Sequence, residues 1–417
     1  MQLSLDILVV VLVFVVLIGF HEFGHLIAAK LAKIPVEKFS IGFGPAIIKW
    51  KKGETQYQLS VVPLGGYVKL KGEDFDDPEG FFSFPFGRKA ITMGAGILAN
   101  FALSIILYFI IGLGWGIESP KPVIDFPENS PLAKSGLEPG DSVVSVNGKQ
   151  IKDYLDFARR LNAKDTVTVK IFRSGVEETF SIPPSDSFIV EPRLAPVVGH
   201  VLSSTPAEKA GMKSGDRILT IDAKPIYSWS EMVSSVKTAD TAKPLEFTWL
   251  HGTDTVVRKL KPEHSKITGS RGIGVLVYVP TRPLSFGEAL WLPLARTAQV
   301  TAQITTTIVK LIIGKESVRN LGGPILIAQL SAQTRRMGFE SLLGLIALLS
   351  ISLAVINLVP IPLMDGGRIL IFLIEKIIGR RFGKRVWTIT TNIGVILVIA
   401  LLGLSLFNDI FRIVSKG

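Results

Sequence analysis

The chain has 417 residues, of which 47% are hydrophobic and only 19% charged, and its mean hydropathy is +0.41. This balance excludes an ordinary soluble enzyme and calls for long lipid-facing segments, while the absence of cysteine excludes disulfides and thiolate metal sites. The net charge of +11 does not point to nucleic acid, because the excess basic residues flank apolar runs, where they mark cytoplasmic ends.

The first apolar run, about residues 3–32, is long enough to span a bilayer and carries His21-Glu22-Phe23-Gly24-His25 near its end. It is read as retained rather than as a signal peptide: no Lys or Arg precedes it and no small-residue cleavage site follows. Two histidines four apart share one helix face, the spacing that clamps one zinc ion, with the intervening glutamate placed to take a proton from water. Ionisable groups are costly in a membrane helix and are read there as functional. The chain has only five histidines, so a chance match is the weaker reading. Lys30, Lys33 and Lys38 follow the run, which puts its histidine end at the cytoplasmic side.

Residues 39–90 are too polar to span. Ile41–Pro45 reads as glycine punctuation, and Tyr57–Leu70 as two short strands about a Pro-Leu-Gly-Gly turn, a hairpin within about 55–72. Such a hairpin is either an ordinary soluble one or an open edge offered to an extended substrate. An acidic loop (Glu73–Glu79) and an interfacial aromatic patch (Phe81–Phe86) lead to a second span, about 91–117. In it Gly94, Ala95 and Gly96 suit close helix packing. Asn100 is its one strongly polar residue, open to helix–helix hydrogen bonding or to a place in the site.

Residues 119–280 are polar and hold a gapless internal repeat. Ser130-Pro-Leu-Ala-Lys-Ser-Gly-Leu-Glu-Pro-Gly-Asp141 returns as Thr205-Pro-Ala-Glu-Lys-Ala-Gly-Met-Lys-Ser-Gly-Asp216, each copy a short helix, a Gly-Asp turn and a strand. The pattern resembles the PDZ domain, with copies at 119–188 and 192–280 and a proline-rich linker from Pro183 to Pro192. PDZ domains take peptides by strand addition, though small domains of this kind also serve as spacers. His200, His251 and His264 have no ligand spacing and read as surface residues.

Residues 281–337 are read as an outer-surface amphipathic region: about 290–311 has helical character but carries Arg296, Gln299, Gln303 and Lys310, which favours an amphipathic helix on the outer surface over a span. A third span, about 339–359, ends in Asn357-Leu-Val-Pro-Ile-Pro-Leu-Met-Asp365-Gly-Gly367, where two prolines halt the helix. Asp365 is read as the N-cap of a short helix from Gly366 to Ile378 and as the missing oxygen ligand, two compatible roles. Lys376, Arg380, Arg381, Lys384 and Arg385 then mark the cytoplasmic side, and a fourth span covers about 386–407. The expected fold is thus a polytopic α-helical membrane protein, split 1–118 and 338–417, with two extracytoplasmic α+β modules between. The charge flanks bring His21 and Asp365 to the same depth from independent segments.

In combination, His21-Glu-x-x-His25, Asn357-x-x-Pro-x-Pro-x-x-Asp365-Gly and the tandem repeats resemble the site-2 protease family of intramembrane zinc metalloproteases, in its regulator-of-sigma-E branch. Met364 and Ile97 depart from the family's usual Leu and Pro. The resemblance implies Zn²⁺ on His21, His25 and Asp365, and Glu22 as catalytic base. It also implies substrate contacts from Asn357, from Gly65, Gly66 and Tyr67 of the membrane-associated hairpin, and from Asn100. The implied setting is a bacterial inner membrane, with the active site near the cytoplasm and the PDZ-like pair in the periplasm. The implied partners are the lipid bilayer and single-span membrane proteins, such as a pre-trimmed anti-sigma factor or remnant signal peptides, with peptide segments at the PDZ grooves. A non-catalytic tandem-PDZ scaffold is the rival, and it leaves the His-Glu-His and Asp365 convergence unexplained. A transporter is disfavoured by the lack of an inverted repeat.

Overall fold

The computed structural model describes the chain except Met1 and residues 73–79, 128, 162–164, 186–187, 240–242, 265–270, 319–321 and 415–417. The acidic loop Glu73–Glu79 therefore lies outside the described residues. The chain divides into two compact units, Met1–Gly114 with Ser285–Gly417, and Trp115–Leu284.

The first unit begins with α1 (Gln2–Leu31), followed by two long strands, β1 (Val36–Lys52) and β2 (Thr55–Leu70), and then α2 (Phe86–Gly114). The strands correct the expected hairpin. Residues 57–70 are one strand rather than two about a Pro-Leu-Gly-Gly turn, and the partner is the stretch 36–52 that the glycines had masked. The turn falls at Gly53 and Glu54. Gly42 and Gly44, at φ +92° and +85°, bend β1 so that its two halves pair separately. Ala46–Lys52 pairs with Thr55–Ser60, while Val36–Ile41 pairs with Gly66–Leu70 on one side and with Gln56–Leu59 on the other. The result is a small sheet with Gly66–Leu70 along an edge. Ile47, Ile48, Trp50 and Val61, each more than half exposed, leave its far end strongly apolar.

The second unit carries the repeat as two copies of one module. Short helices α3 (Pro131–Lys134) and α5 (Pro206–Lys209) each open on proline. Longer helices α4 (Tyr154–Leu161) and α6 (Trp229–Thr238) pack beside four-stranded sheets of matching order. Each copy has its own core, around Phe157 and Ile171 in the first and Phe247 and Trp249 in the second. The first copy runs past the expected boundary at 188, since Glu191–Pro192 pairs with Ile124–Asp125.

The copies differ where each buries an aspartate at its Gly-Asp turn. Asp141 accepts the Glu138 N–H and two charge-assisted bonds from Arg173 (2.6 and 2.7 Å). The guanidinium is held well above the usual arginine range by these bonds. In the second copy the equivalent Asp216 pairs with His251 at 2.6 Å, so His251 has a structural partner that its sequence context did not suggest. A charge-assisted pair at a buried carboxylate contributes about 2–3 kcal/mol. Asp141→Ala should therefore lower hydrogen-exchange protection of amides in strands Ser142–Val146 and Val167–Arg173, leaving protection in the second copy unchanged.

The first unit resumes with α7 (Phe286–Ile312), opened by a reciprocal Ser285–Glu288 capping box. It continues with α8 (Pro324–Met337), α9 (Phe339–Leu358), α10 (Asp365–Ile378) and α11 (Lys384–Val414). Among the described residues, four helices are long and apolar enough to cross a membrane: Ser4–Leu31, Phe86–Gly114, Phe339–Leu358 and Lys384–Val414. The region expected to be an outer-surface amphipathic stretch is more integrated than that. Val300 of α7 packs with Ile351 and Val355 of α9 and with Phe101 and Tyr108 of α2, and Thr297 lies 3.4 Å from Ser104.

Two clusters bracket the middle of the helix set. One joins Val13 and Leu17 of α1 to Leu103 and Leu107 of α2 and Ile346 of α9. The other gathers Leu26, Phe39, Leu70, Phe81, Phe372 and Trp387. It is pinned by buried Glu375, which pairs with Lys89 (3.4 Å) and accepts the Trp387 indole N–H (3.2 Å). His21 and His25 lie between these clusters along α1.

Candidate metal centre

Helical spacing stacks the two imidazoles on one face of α1, and the loop from Val359 to Met364 returns α10 beneath them. His21 and His25 are 8% and 7% exposed. Their Nε2 atoms stand 3.2 Å apart, and Asp365 Oδ2 lies 3.2 Å from the first and 3.4 Å from the second. Among the described residues these three form the one histidine–carboxylate cluster able to hold a metal. Ligands about 2.0–2.1 Å from a tetrahedral zinc are separated by about 3.3 Å, so the observed triangle has the size of one tetrahedral face. Asp365 Oδ2 is buried and takes no hydrogen bond among the described residues, which leaves it available as a ligand. The residues fit the ion.

Asp365 is the first residue of α10, and Met364 is its N-cap with no side-chain capping bond. The N-cap reading is thereby corrected: the carboxylate turns toward the histidines instead of satisfying the helix amides.

The far nitrogens of both rings are engaged. His25 Nδ1 lies 2.8 Å from the Thr92 carbonyl, and His21 Nδ1 is 3.1 Å from the Asn100 amide. Engaging the far nitrogen fixes ring orientation and leaves Nε2 for the metal. Asn100, expected to touch substrate, instead lies fully buried behind a ligand.

A cavity of about 440 Å³ opens over the triangle. His21, Glu22, His25 and Asp365 line it together with Asn357, Arg368 and the strand segment 66–70. Gly66 and Tyr67 are among its lining residues. Gly65 is not, because it packs on Phe43, whose ring would lie 1.9 Å from any added Cβ. Gly66 is forced small from the site side: a Cβ there would stand 2.9 Å from Glu22 Cγ and 2.8 Å from the Ser40 carbonyl. Among the described residues Gly66–Leu70 pairs with β1, and the segment lines the cavity.

Three residues at the site carry no direct sequence signal for that role. The Thr92 carbonyl acts through backbone, which carries no side-chain signal. Arg368 lies one turn after Asp365, in the short helix that precedes the basic flank. Gly96 was read as a generic packing glycine, yet a Cβ there would sit 2.4 Å from His25 Nε2 and 2.8 Å from His21 Cε1. Its position four before Asn100, on the same helix face, was the available clue.

The model of peptidase family M50 matches residues 9–401. The chain is 32% identical to the regulator of sigma-E protease RseP of Escherichia coli over 439 residues, covering 95% of this chain and 96% of that one. It is 30% identical to a Neisseria meningitidis protein whose description names a zinc metalloprotease, covering 96% and 97%. A solved PDZ domain of an SdrC-like protein from Listeria monocytogenes covers 22% of this chain and 93% of its own, at 21% identity and a TM-score of 0.19. The chain belongs to peptidase family M50, the site-2 proteases. It is a zinc-dependent protease of the membrane with several apolar spanning helices.

Proposed function

We propose that His21, His25 and Asp365 hold the zinc, that Glu22 is the catalytic base, and that the enzyme cleaves single-span membrane proteins within or near their membrane segment. The observation that carries this reading is the ligand triangle, with edges of 3.2, 3.2 and 3.4 Å, assembled from two distant segments. A bound zinc ion supplies the Lewis acidity that makes water nucleophilic near neutral pH and polarises a carbonyl. Glu22 takes the proton from the attacking water and returns it to the leaving amine nitrogen. Helical substrates hide their carbonyls in i to i−4 bonds, so the scissile segment must be extended before attack. The edge strand Gly66–Leu70 offers backbone donors and acceptors to such a segment by strand addition, and Asn357 and Arg368 line the same cavity.

The proposed setting is a bacterial inner membrane, with the repeat domains periplasmic and the metal site toward the cytoplasm. The flanking lysines and arginines after the first span and before the fourth support this orientation. The two modules act as PDZ-like domains that screen substrates by the size of their outer portion, favouring an anti-sigma factor or similar protein already trimmed outside. The non-catalytic scaffold is not favoured for a chain of a peptidase family.

The test is metal content joined to cleavage. Elemental analysis should find about one zinc per chain in the wild type and a loss of at least about tenfold in His21→Ala and in Asp365→Ala. A tagged panel of outer-truncated single-span proteins, co-expressed with each variant, should be cut only by the wild type. Zinc retained in both variants would refute the ligand assignment.

A further inference from the structure

Zinc binding through Nε2 sets a condition on the other side of each ring. A neutral imidazole carries one proton, so a ligand that gives its Nε2 lone pair must bear that proton on Nδ1 and needs an acceptor there. His25 has one in the Thr92 carbonyl, 2.8 Å from Nδ1. His21 faces Asn100, whose nitrogen Nδ2 stands 3.1 Å from Nδ1. Two donors would then oppose each other, while Asn100 Oδ1 is buried and has no hydrogen-bond partner among the described residues. Turning the planar amide by 180° exchanges oxygen and nitrogen without changing its shape. The oxygen then meets the Nδ1–H, relieving both the clash of donors and the unsatisfied acceptor.

We infer that Asn100 is the positioning residue of His21: in the zinc-bearing enzyme its amide oxygen accepts the Nδ1–H and so selects the tautomer that leaves Nε2 free for the metal. The inference rests on the assignment of His21 as a ligand. Burial supports it, because Asn100 is 0% exposed and its backbone carbonyl accepts the Ser350 hydroxyl at 2.8 Å, tying α2 to α9. The amide has no solvent to compensate for a wrong orientation, and an unsatisfied buried acceptor is costly. The role also separates Asn100 from residues that touch substrate, since the His21 ring lies between it and the other two ligand atoms.

The test uses full-length protein in detergent, with zinc affinity measured by competition against a colorimetric chelator. Asn100→Asp keeps an acceptor of the same shape and should bind zinc within about threefold of wild type. Asn100→Leu has the shape without the acceptor and should lose affinity by about 10–100-fold, the range for groups behind a metal-bound histidine. Asn100→Ala, which cannot clash, should lose the same and serves if the leucine variant does not fold, with thermal melting of metal-stripped protein as the folding control. Wild-type affinity in the Leu or Ala variant, or an equal loss in Asn100→Asp, overturns the inference. His21→Ala is run in parallel. Its loss of zinc beside unaffected Asn100→Leu or Asn100→Ala sinks the positioning role alone, whereas zinc retained in His21→Ala removes the ligand assignment and the inference with it.

Discussion

Glu22→Gln should retain about one zinc per chain and the wild-type melting behaviour while losing roughly 10²–10⁴-fold in cleavage rate, the range associated with removing a positioned general base. Each tenfold corresponds to about 1.36 kcal/mol of barrier, so the expected loss is about 3–5 kcal/mol of transition-state stabilisation. The separation of effects follows from the geometry. Among the described residues the proposed ligand triangle is made by His21, His25 and Asp365, so Gln in place of Glu22 removes none of its members. Gln keeps the side-chain length that packs Cγ against Gly66, but its amide cannot accept the proton of the attacking water. The measurement pairs elemental analysis with single-turnover cleavage of one purified substrate. Cleavage at the wild-type rate would defeat the general-base role, and loss of zinc would mean that Glu22 helps to hold the metal.

The parts of this site that could be read from sequence are those with a periodic or compositional signature. His21 and His25 declare themselves by i, i+4 spacing inside an apolar run, and Asp365 by its place after two helix-stopping prolines. Charge flanks then predict a common depth for the two segments. The sheet was half legible. Tyr57–Leu70 has alternating β-branched and aromatic residues, whereas its partner Val36–Lys52 is interrupted by Gly42, Gly44 and Pro45, which look like loop punctuation. In the folded chain those glycines are the bends that let one strand pair in two places. Asp365 carries two signals in the sequence, because a carboxylate at a helix N-terminus can serve both as a cap and as a metal ligand. The three-dimensional position of the histidines, which no local sequence term carries, places the carboxylate beside both rings. Asn100 was legible as a polar residue in a span but not as a partner of His21, since 79 residues separate the two.

Gly96→Ala should cost the enzyme its metal without touching a ligand. In most spanning helices an alanine in place of glycine is benign or favourable, because alanine has the better helix propensity. Here the added Cβ would stand 2.4 Å from His25 Nε2, 2.7 Å from His25 Cε1 and 2.8 Å from His21 Cε1. Both rings must then move, and neither moves freely. His25 is tied to the Thr92 carbonyl four residues before Gly96 on the same helix, and His21 to Asn100 four residues after it. The rings and the glycine therefore form one rigid block, and a displacement approaching 1 Å opens the triangle beyond what a single tetrahedral ion can bridge. We expect zinc affinity to fall by about 10²-fold or more and cleavage to fall with it. Thermal melting of the metal-stripped protein should fall by only a few degrees, because the gain in helix propensity offsets part of an overpacking cost of about 1–3 kcal/mol. Gly94→Ala is the control: its Cβ would meet only the Ile369 side chain at 3.8 Å, an ordinary contact, so zinc and cleavage should be unchanged. Equal behaviour of the two variants would show that the close approach of α2 to the histidine pair does not govern the metal site.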